Sequence, residues 1–313
     1  MNFLLIGGIG YVGGRLASYL KSRGHRVSIS TRRSPEDVPA WVIADEIIWD
    51  ANGADFAHAL ETVDVVLHLA APDASAAARN PAEALRAGGE WTWQLLEKLL
   101  ERKSTSPLLY LSTFHVYGRN VAGEIRETTL PIPSHPYAIG KYLAECIVQF
   151  FRGQKGIRAL CVRLSNVFGT AAAHGIPCNS LVFNDLCRQA IINKRLTLHT
   201  TGDQKRNFIT MEDTVRALEF LALRNEEWPV DGVIHMGSKL HLSIREVAEI
   251  VAERTNALFG YSPEIITPEA HECHPAVEFT YSIERLEGMG FVWNNRVEKE
   301  VDDTLNFFLQ ENV

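Results

Sequence analysis

Short apolar runs recur through the first half of the chain, at Phe3 to Ile6, Val27 to Ile29, Ile47 to Trp49, Val65 to Leu69, Leu108 to Leu111 and Leu160 to Leu164. Each has the length of a buried strand. Between them, Tyr11 to Arg23, Pro81 to Lys103 and Tyr137 to Gly153 carry apolar residues at helical spacing, with Pro81 in a first turn, where its missing N–H costs nothing. The alternation predicts an α/β fold, a doubly wound parallel sheet with crossover helices. From about Asn166 the rhythm loosens. The stretches HGIPCNS and ALFGYSPEIITPEAHECHP are rich in Pro, Gly and His, so a smaller, less regular C-terminal lobe is expected. The expected division is residues 1–165 for the sheet domain, with a returning segment near 206–236, and 166–313 mainly for the second lobe.

A chain of 313 residues, 46% of them hydrophobic, can bury a sizeable core. The formal charge of −7 leaves no basic footprint for DNA or RNA, so an anionic ligand must be held by a local site. Cys146, Cys161, Cys178, Cys187 and Cys273 are scattered and form no CxxC pair, which fits free thiols in a reducing compartment. The N-terminal MNFLLIGGIGYVGG lacks a positive leader region, and no run of about 18 apolar residues suggests a membrane span. A cytoplasmic protein is expected.

Gly7, Gly10 and Gly13 follow the first strand and, with Tyr11 and Val12, open the first helix. Glycines at this spacing let backbone N–H groups approach a pyrophosphate, whose charge a helix N-terminus favours, the arrangement of a Rossmann dinucleotide site. At the end of the second strand, where a carboxylate would bind the ribose of NAD, stand Thr31, Arg32 and Arg33. Guanidinium groups there suit a 2′-phosphate, which favours NADP(H) over NAD. Asp50, at the end of the third strand, could accept from the adenine amino group. The fourth apolar run ends in Leu69, Ala70 and Ala71, the last two small enough to leave the cofactor room.

Tyr137 and Lys141 are four residues apart and so share one face of a helix. An ammonium beside a phenol favours the phenolate and brings it into range for proton transfer. The fifth strand runs into Ser112 and Thr113, placing hydroxyls at a carboxyl end, where open α/β sheets bind ligands.

Taken together, the glycine loop, Asp50, DVVLHLAA, STFHVYG, PYAIGKYLAE, RLSNVFG and GDQKRNFITMED resemble the extended short-chain dehydrogenase/reductases, especially the branch acting on nucleotide-diphosphate sugars. The resemblance implies that Thr113 is the catalytic hydroxyl, Tyr137 the acid/base, and Lys141 the residue that holds the cofactor ribose and tunes the tyrosine. It also implies that Asn166, Arg206 and, with weaker support, Asn179 face the substrate.

The chain departs from that pattern at three places. Sugar 4,6-dehydratases carry Asp-Glu directly after the catalytic Thr, whereas Phe114-His115 stands here, which disfavours simple 4,6-dehydration. His115 occupies the position of an acid/base cysteine in the epimerase-reductases resembling GDP-fucose synthase; it is a candidate second acid/base or a pocket wall. Gly88 replaces a common Asn. His271-Glu272-Cys273-His274 holds metal-ligand residue types but no second ligand pair, so no metal is expected.

The resulting expectation is an NADPH-dependent ketoreductase acting on a nucleotide-diphosphate keto-sugar, of the 4-keto-6-deoxy kind. The alternatives are an epimerase with tightly held cofactor and, as a different class, a non-catalytic nucleotide sensor. The helices Pro81 to Lys103 and Tyr137 to Gly153 resemble the pair that forms a four-helix dimer interface in the family. Their apolar residues Trp91, Leu95, Leu96, Leu99, Ile147 and Phe150 imply a homodimer.

Overall fold

A computed structural model of the chain describes residues 1–49, 53–119, 121–268 and 278–311. The apolar runs become β1 (Asn2–Ile6), β2 (Arg26–Ser30), β3 (Glu46–Ile48), β4 (Val65–His68), β5 (Leu108–Thr113) and β6 (Ala159–Leu164), joined by β7 (Val233–Met236) in the order β7-β6-β5-β4-β1-β2-β3. Pairing from β3 across to β6 is parallel, with Phe3 beside Val27 on one side and Val65 on the other. Phe3, Leu4, Leu5, Val65, Val66 and Leu67 are wholly buried, as strands covered on both faces require. The order reverses between β1 and β4, and that reversal opens a crevice at their carboxyl ends. Leu4, Val66, Leu108 and Cys161 of the sheet pack with Phe56, Leu96, Leu99, Val148 and Phe151 of the helices.

The chain divides into two compact units: residues 1–119, 127–164 and 217–235 form one, and 120–126, 165–216 and 236–313 the other. The second contains a small sheet of Asn166–Phe168, Lys205–Thr210 and Leu240–Ser243. Three helices, Val182–Asn193, Ile244–Phe259 and Val297–Glu311, pack on one another beside it. A capping box between Ser243 and Glu246 opens the second of these, and left-handed Gly260 closes it.

The helical run expected over Pro81 to Lys103 forms in three pieces: Pro81–Arg86, a π-helical turn at Ala87–Trp91, and Thr92–Glu101. The turn lies against the backbone of the helix Pro136–Lys155. A Cβ at Gly88 would fall 1.9 Å from the Gly140 carbonyl oxygen, and one at Gly140 would fall 2.5 Å from that of Ala84. Position 88 therefore admits no side chain in this packing, since two backbones meet where one would stand.

Two sequence expectations need correction. Leu95, Leu96 and Leu99 are buried, so they are covered within the chain and cannot supply a dimer face, and Ile147 is partly buried against the same core. The exposed apolar residues of this region are Leu85, Trp93, Ile139, Leu143 and Phe150. The third strand ends at Ile48, short of Trp49, which is exposed. Among the described residues no helix is long and apolar enough to cross a membrane, and Cys146, Cys161, Cys178 and Cys187 are free thiols. Cys273 lies outside the described residues.

Candidate active site

The loop after β1 is held by close packing. Gly7 has φ +93°, and a Cβ on it would lie 2.7 Å from the Ala70 backbone nitrogen; Leu69 N–H donates to the Ile6 carbonyl at 2.8 Å. Glycine loop and β4 end are thus pressed together. A Cβ on Gly13 would come within 2.3 Å of the Gly7 carbonyl oxygen. Gly10 differs, because a Cβ there would meet nothing of the chain nearer than 3.6 Å. Protein packing does not require glycine at that position, but a phosphate approaching the backbone would. The helix Tyr11–Ser22 opens at Gly10 without a side-chain cap. This cradle fits the dinucleotide expected from the sequence.

At the end of β2, Thr31 accepts from the Arg33 N–H at 3.1 Å, and Arg33 donates to the Asp37 carbonyl at 3.4 Å. Arg32 lies over the Trp91 ring, its guanidinium carbon 3.7 Å from the centroid, and its Nη1 is 3.9 Å from the Glu83 carboxylate. Asp50 lies outside the described residues.

Tyr137 enters on the first turn of the helix Pro136–Lys155, where Pro136 occupies the first position and the His135 ring nitrogen accepts from the Tyr137 N–H at 3.2 Å. Thr113, the last residue of β5, is buried; its hydroxyl accepts from the His115 N–H at 3.3 Å and hydrogen-bonds the Tyr137 phenol. Lys141, one turn on, is also buried and donates through Nζ to the Leu111 carbonyl at 2.7 Å. A small cavity beside them is lined by Ala70, Ala71, Pro72, Tyr137 and Lys141, with Gly88 and Gly140 on its wall. Strand ends and helix thus bring Thr113, Tyr137 and Lys141 to the edge where Leu69, Ala70 and Ala71 meet the glycine loop. His115 is exposed, its ring 6.3 Å from that of Tyr137.

The electrostatics differ from the sequence expectation. Burial raises the Tyr137 phenol above its ordinary value, the Thr113 hydroxyl pulling it partly back, and no lowering by Lys141 accompanies this. Lys141 is itself lowered to about 8 by burial, which the Glu145 carboxylate partly opposes. The ammonium is directed to the Leu111 carbonyl, so desolvation dominates at the phenol. His68 is a buried strand residue lowered to about 3, neutral, and bonded through Nε2 to Thr92 at 3.2 Å.

In the second unit, Asn166 donates through its amide to the Asn207 carbonyl at 2.9 Å, and Arg206 immediately precedes Asn207 on that neighbouring strand. Arg206 is half-buried, donates to the Lys205 carbonyl at 3.0 Å, and has its pKa lowered by burial; among the described residues it has no ion pair. Asn179 is exposed. The described residues hold no cluster of three metal-ligating side chains, and the tetrapeptide 271–274 lies outside them.

The model of the NAD dependent epimerase/dehydratase family matches residues 3–237 of the chain. The chain belongs to this family. A dTDP-D-glucose 4,6-dehydratase of Bos taurus is 24% identical over 261 residues, which cover 82% of this chain and 71% of that protein. A GDP-6-deoxy-D-mannose reductase of Pseudomonas aeruginosa is 30% identical over 202 residues, 62% of this chain and 64% of that one. Among solved structures, RMD from Pseudomonas aeruginosa complexed with NADPH shares the fold at TM-score 0.77 and 23% identity, over 99% of this chain and 98% of that chain. The resemblance to extended short-chain dehydrogenase/reductases is thereby borne out.

Two features of this epimerase/dehydratase chain escaped the sequence reading. One is the Trp91 platform under Arg32, whose members lie far apart in sequence. The other is a buried network in which Ser112 donates to Glu145, Glu145 pairs with Arg163 at 2.7 Å, and Arg163 donates to the Tyr117 hydroxyl at 2.6 Å. A glutamate one turn beyond Lys141 and an arginine within an apolar strand were the available signals.

Proposed function

We propose that the protein is an NADPH-dependent ketoreductase acting on a nucleotide-diphosphate keto-sugar of the 4-keto-6-deoxy kind. The observation that carries the reading is the hydrogen bond between Thr113 and Tyr137 beside Lys141, at the strand ends facing the glycine cradle. A nicotinamide bound there supplies the hydride. Tyr137, kept protonated by burial, delivers a proton to the carbonyl oxygen. The Thr113 hydroxyl orients that oxygen, and Lys141 holds the ribose. Gly7, Gly10, Tyr11, Val12 and Gly13 take the pyrophosphate, and Arg32 with Arg33 the 2′-phosphate, which tilts the reading toward NADPH as a consumed reagent. In the second unit, Arg206, half-buried without a carboxylate partner among the described residues, is assigned to the substrate diphosphate, and Asn166 to the same ligand. Phe114-His115, in place of an acidic pair, sets this reading apart from simple 4,6-dehydration.

Purified protein incubated with NADPH or NADH and a panel of nucleotide 4-keto-sugars tests the proposal. One NADPH oxidised per sugar reduced is expected. Interconversion of isomeric nucleotide sugars without net oxidation would replace it with the epimerase reading, in which Thr113, Tyr137 and Lys141 serve both the oxidation and the return. No turnover of either kind would favour the nucleotide sensor.

The same reading includes a homodimer formed through the helices Thr92–Glu101 and Pro136–Lys155. Its support is the exposed pair Trp93 and Phe150, stacked with ring centroids 5.6 Å apart, continued by Ile139 and Leu143. Sedimentation should give a dimer for the wild type and a folded monomer for Trp93→Glu. A monomeric wild type would refute this.

A further inference from the structure

We propose that Trp91 is a positioning residue for cofactor choice: its ring holds the Arg32 guanidinium at the loop after β2, and Glu83 competes with a 2′-phosphate for that guanidinium. The inference rests on the reading of the glycine cradle as a dinucleotide site and adds what selects the dinucleotide.

The geometry is specific. Arg32 lies over the ring face at 3.7 Å, the distance of a stacked contact. A contact with the ring face spends none of the guanidinium N–H donors on a hydrogen bond. The Glu83 carboxylate stands 3.9 Å from one terminal nitrogen, close enough for charge attraction and too far for a hydrogen bond. Arg32 is thus placed without its donors being spent on Glu83. A free arginine on an exposed loop would lose side-chain freedom on gripping a phosphate, and the ring bears part of that cost beforehand. Trp91 reaches this place as the last residue of the π-helical turn, which the approach of Gly88 to the Gly140 backbone accompanies. One backbone contact therefore connects the packing of the Tyr137 helix to the residue under Arg32.

Glu83 acts in the opposite sense. Its carboxylate neutralises Arg32 when no phosphate is present and repels an incoming phosphate dianion. Cofactor choice is then a balance between platform and competitor.

The test uses no sugar and no turnover. Affinities of 2′,5′-ADP and 5′-ADP for the full chain are measured by calorimetry, and their ratio is the preference for the 2′-phosphate. Trp91→Leu is expected to lower that preference about fivefold, the scale of one cation–π contact, with 5′-ADP affinity nearly unchanged. Trp91→Phe, which keeps a ring, should retain the preference within about twofold. Glu83→Gln should raise it by about two- to fivefold, as expected of a partly exposed charge. An unchanged preference in Trp91→Leu, or equal weakening of both nucleotides, would overturn the proposal. If Trp91→Leu does not fold, Glu83→Gln decides, and an unaltered preference there overturns it equally. Failure of the wild type to bind either nucleotide would instead count against the dinucleotide reading of the cradle, and would remove this inference with it.

Discussion

Tyr137→Phe is expected to lower turnover of a keto-sugar by about 10²- to 10⁴-fold, the range of a lost general acid, while nucleotide binding and thermal stability stay near those of the wild type. The ring is retained, so packing is conserved, and what disappears is the hydroxyl bonded to Thr113. The pH profile carries the second half of the expectation. Burial raises the phenol above its ordinary value, so Tyr137 holds its proton through neutral pH, the form that reduction consumes. Lys141, lowered to about 8 by burial, is an ammonium only below that value. Reduction should therefore hold steady through neutral pH and decline as pH rises past about 8, first as Lys141 discharges and then as the phenol ionises. Oxidation of the product alcohol needs the phenolate and should move the opposite way. A Tyr137→Phe variant keeping more than about a tenth of the rate, or reduction that climbs between pH 8 and 10, would take Tyr137 out of the proton transfer.

The sheet was legible because its strands are buried on both faces: runs such as Val65 to Leu69 leave no other element of that length and composition. The glycine loop was legible because its spacing follows from a tight turn. Tyr137 and Lys141 could be paired because one helical turn brings them together wherever the helix sits. What the sequence withheld depends on contacts distant along the chain. The burial of the Tyr137 phenol and the direction of the lysine ammonium, toward the Leu111 carbonyl, both depend on how β5 meets the helix, and burial raises the phenol where a lowering was expected. Leu95, Leu96 and Leu99 fail as a dimer face for a related reason, whereas Phe150 is exposed. A helical stripe shows that Leu95, Leu96 and Leu99 share a face but not that the core already covers it, and Trp93 on the other side was the exposed one. Gly88 read as a lost side chain; the close approach of Gly140 makes it a packing requirement. The charge of Arg32 is legible locally, whereas Trp91 beneath it lies far along the chain.

Glu145→Ala is expected to destabilise the protein by about 3–5 kcal/mol, the cost of leaving one buried charge without its partner. Glu145 and Arg163 have side chains only 3% and 5% exposed. Arg163 donates from Nε to both Glu145 oxygens at 3.1 Å and from Nη2 at 2.7 Å, while Nη1 serves the Tyr117 hydroxyl and the Glu127 carbonyl. Removing the carboxylate strands a guanidinium that cannot shed its proton, and it also removes the acceptor of the Ser112 hydroxyl. At roughly 2–4 °C per kcal/mol for a chain of this order, the melting temperature should fall by about 10 °C. Replacing both partners, as in Glu145→Leu with Arg163→Met, should be less damaging than Glu145→Ala, because the desolvation penalty goes with the charges. The network bears on the site as well as on stability. Ser112 precedes Thr113 on β5, and Glu145 lies one turn beyond Lys141, so the ion pair fixes strand and helix against each other where the proposed proton relay is built. Glu145→Gln, which keeps the shape and loses the charge, should therefore lower turnover more than it lowers nucleotide affinity. A double variant less stable than Glu145→Ala, or a Glu145→Gln variant with unaltered melting temperature and turnover, would show that the pair neither anchors the fold nor positions the relay.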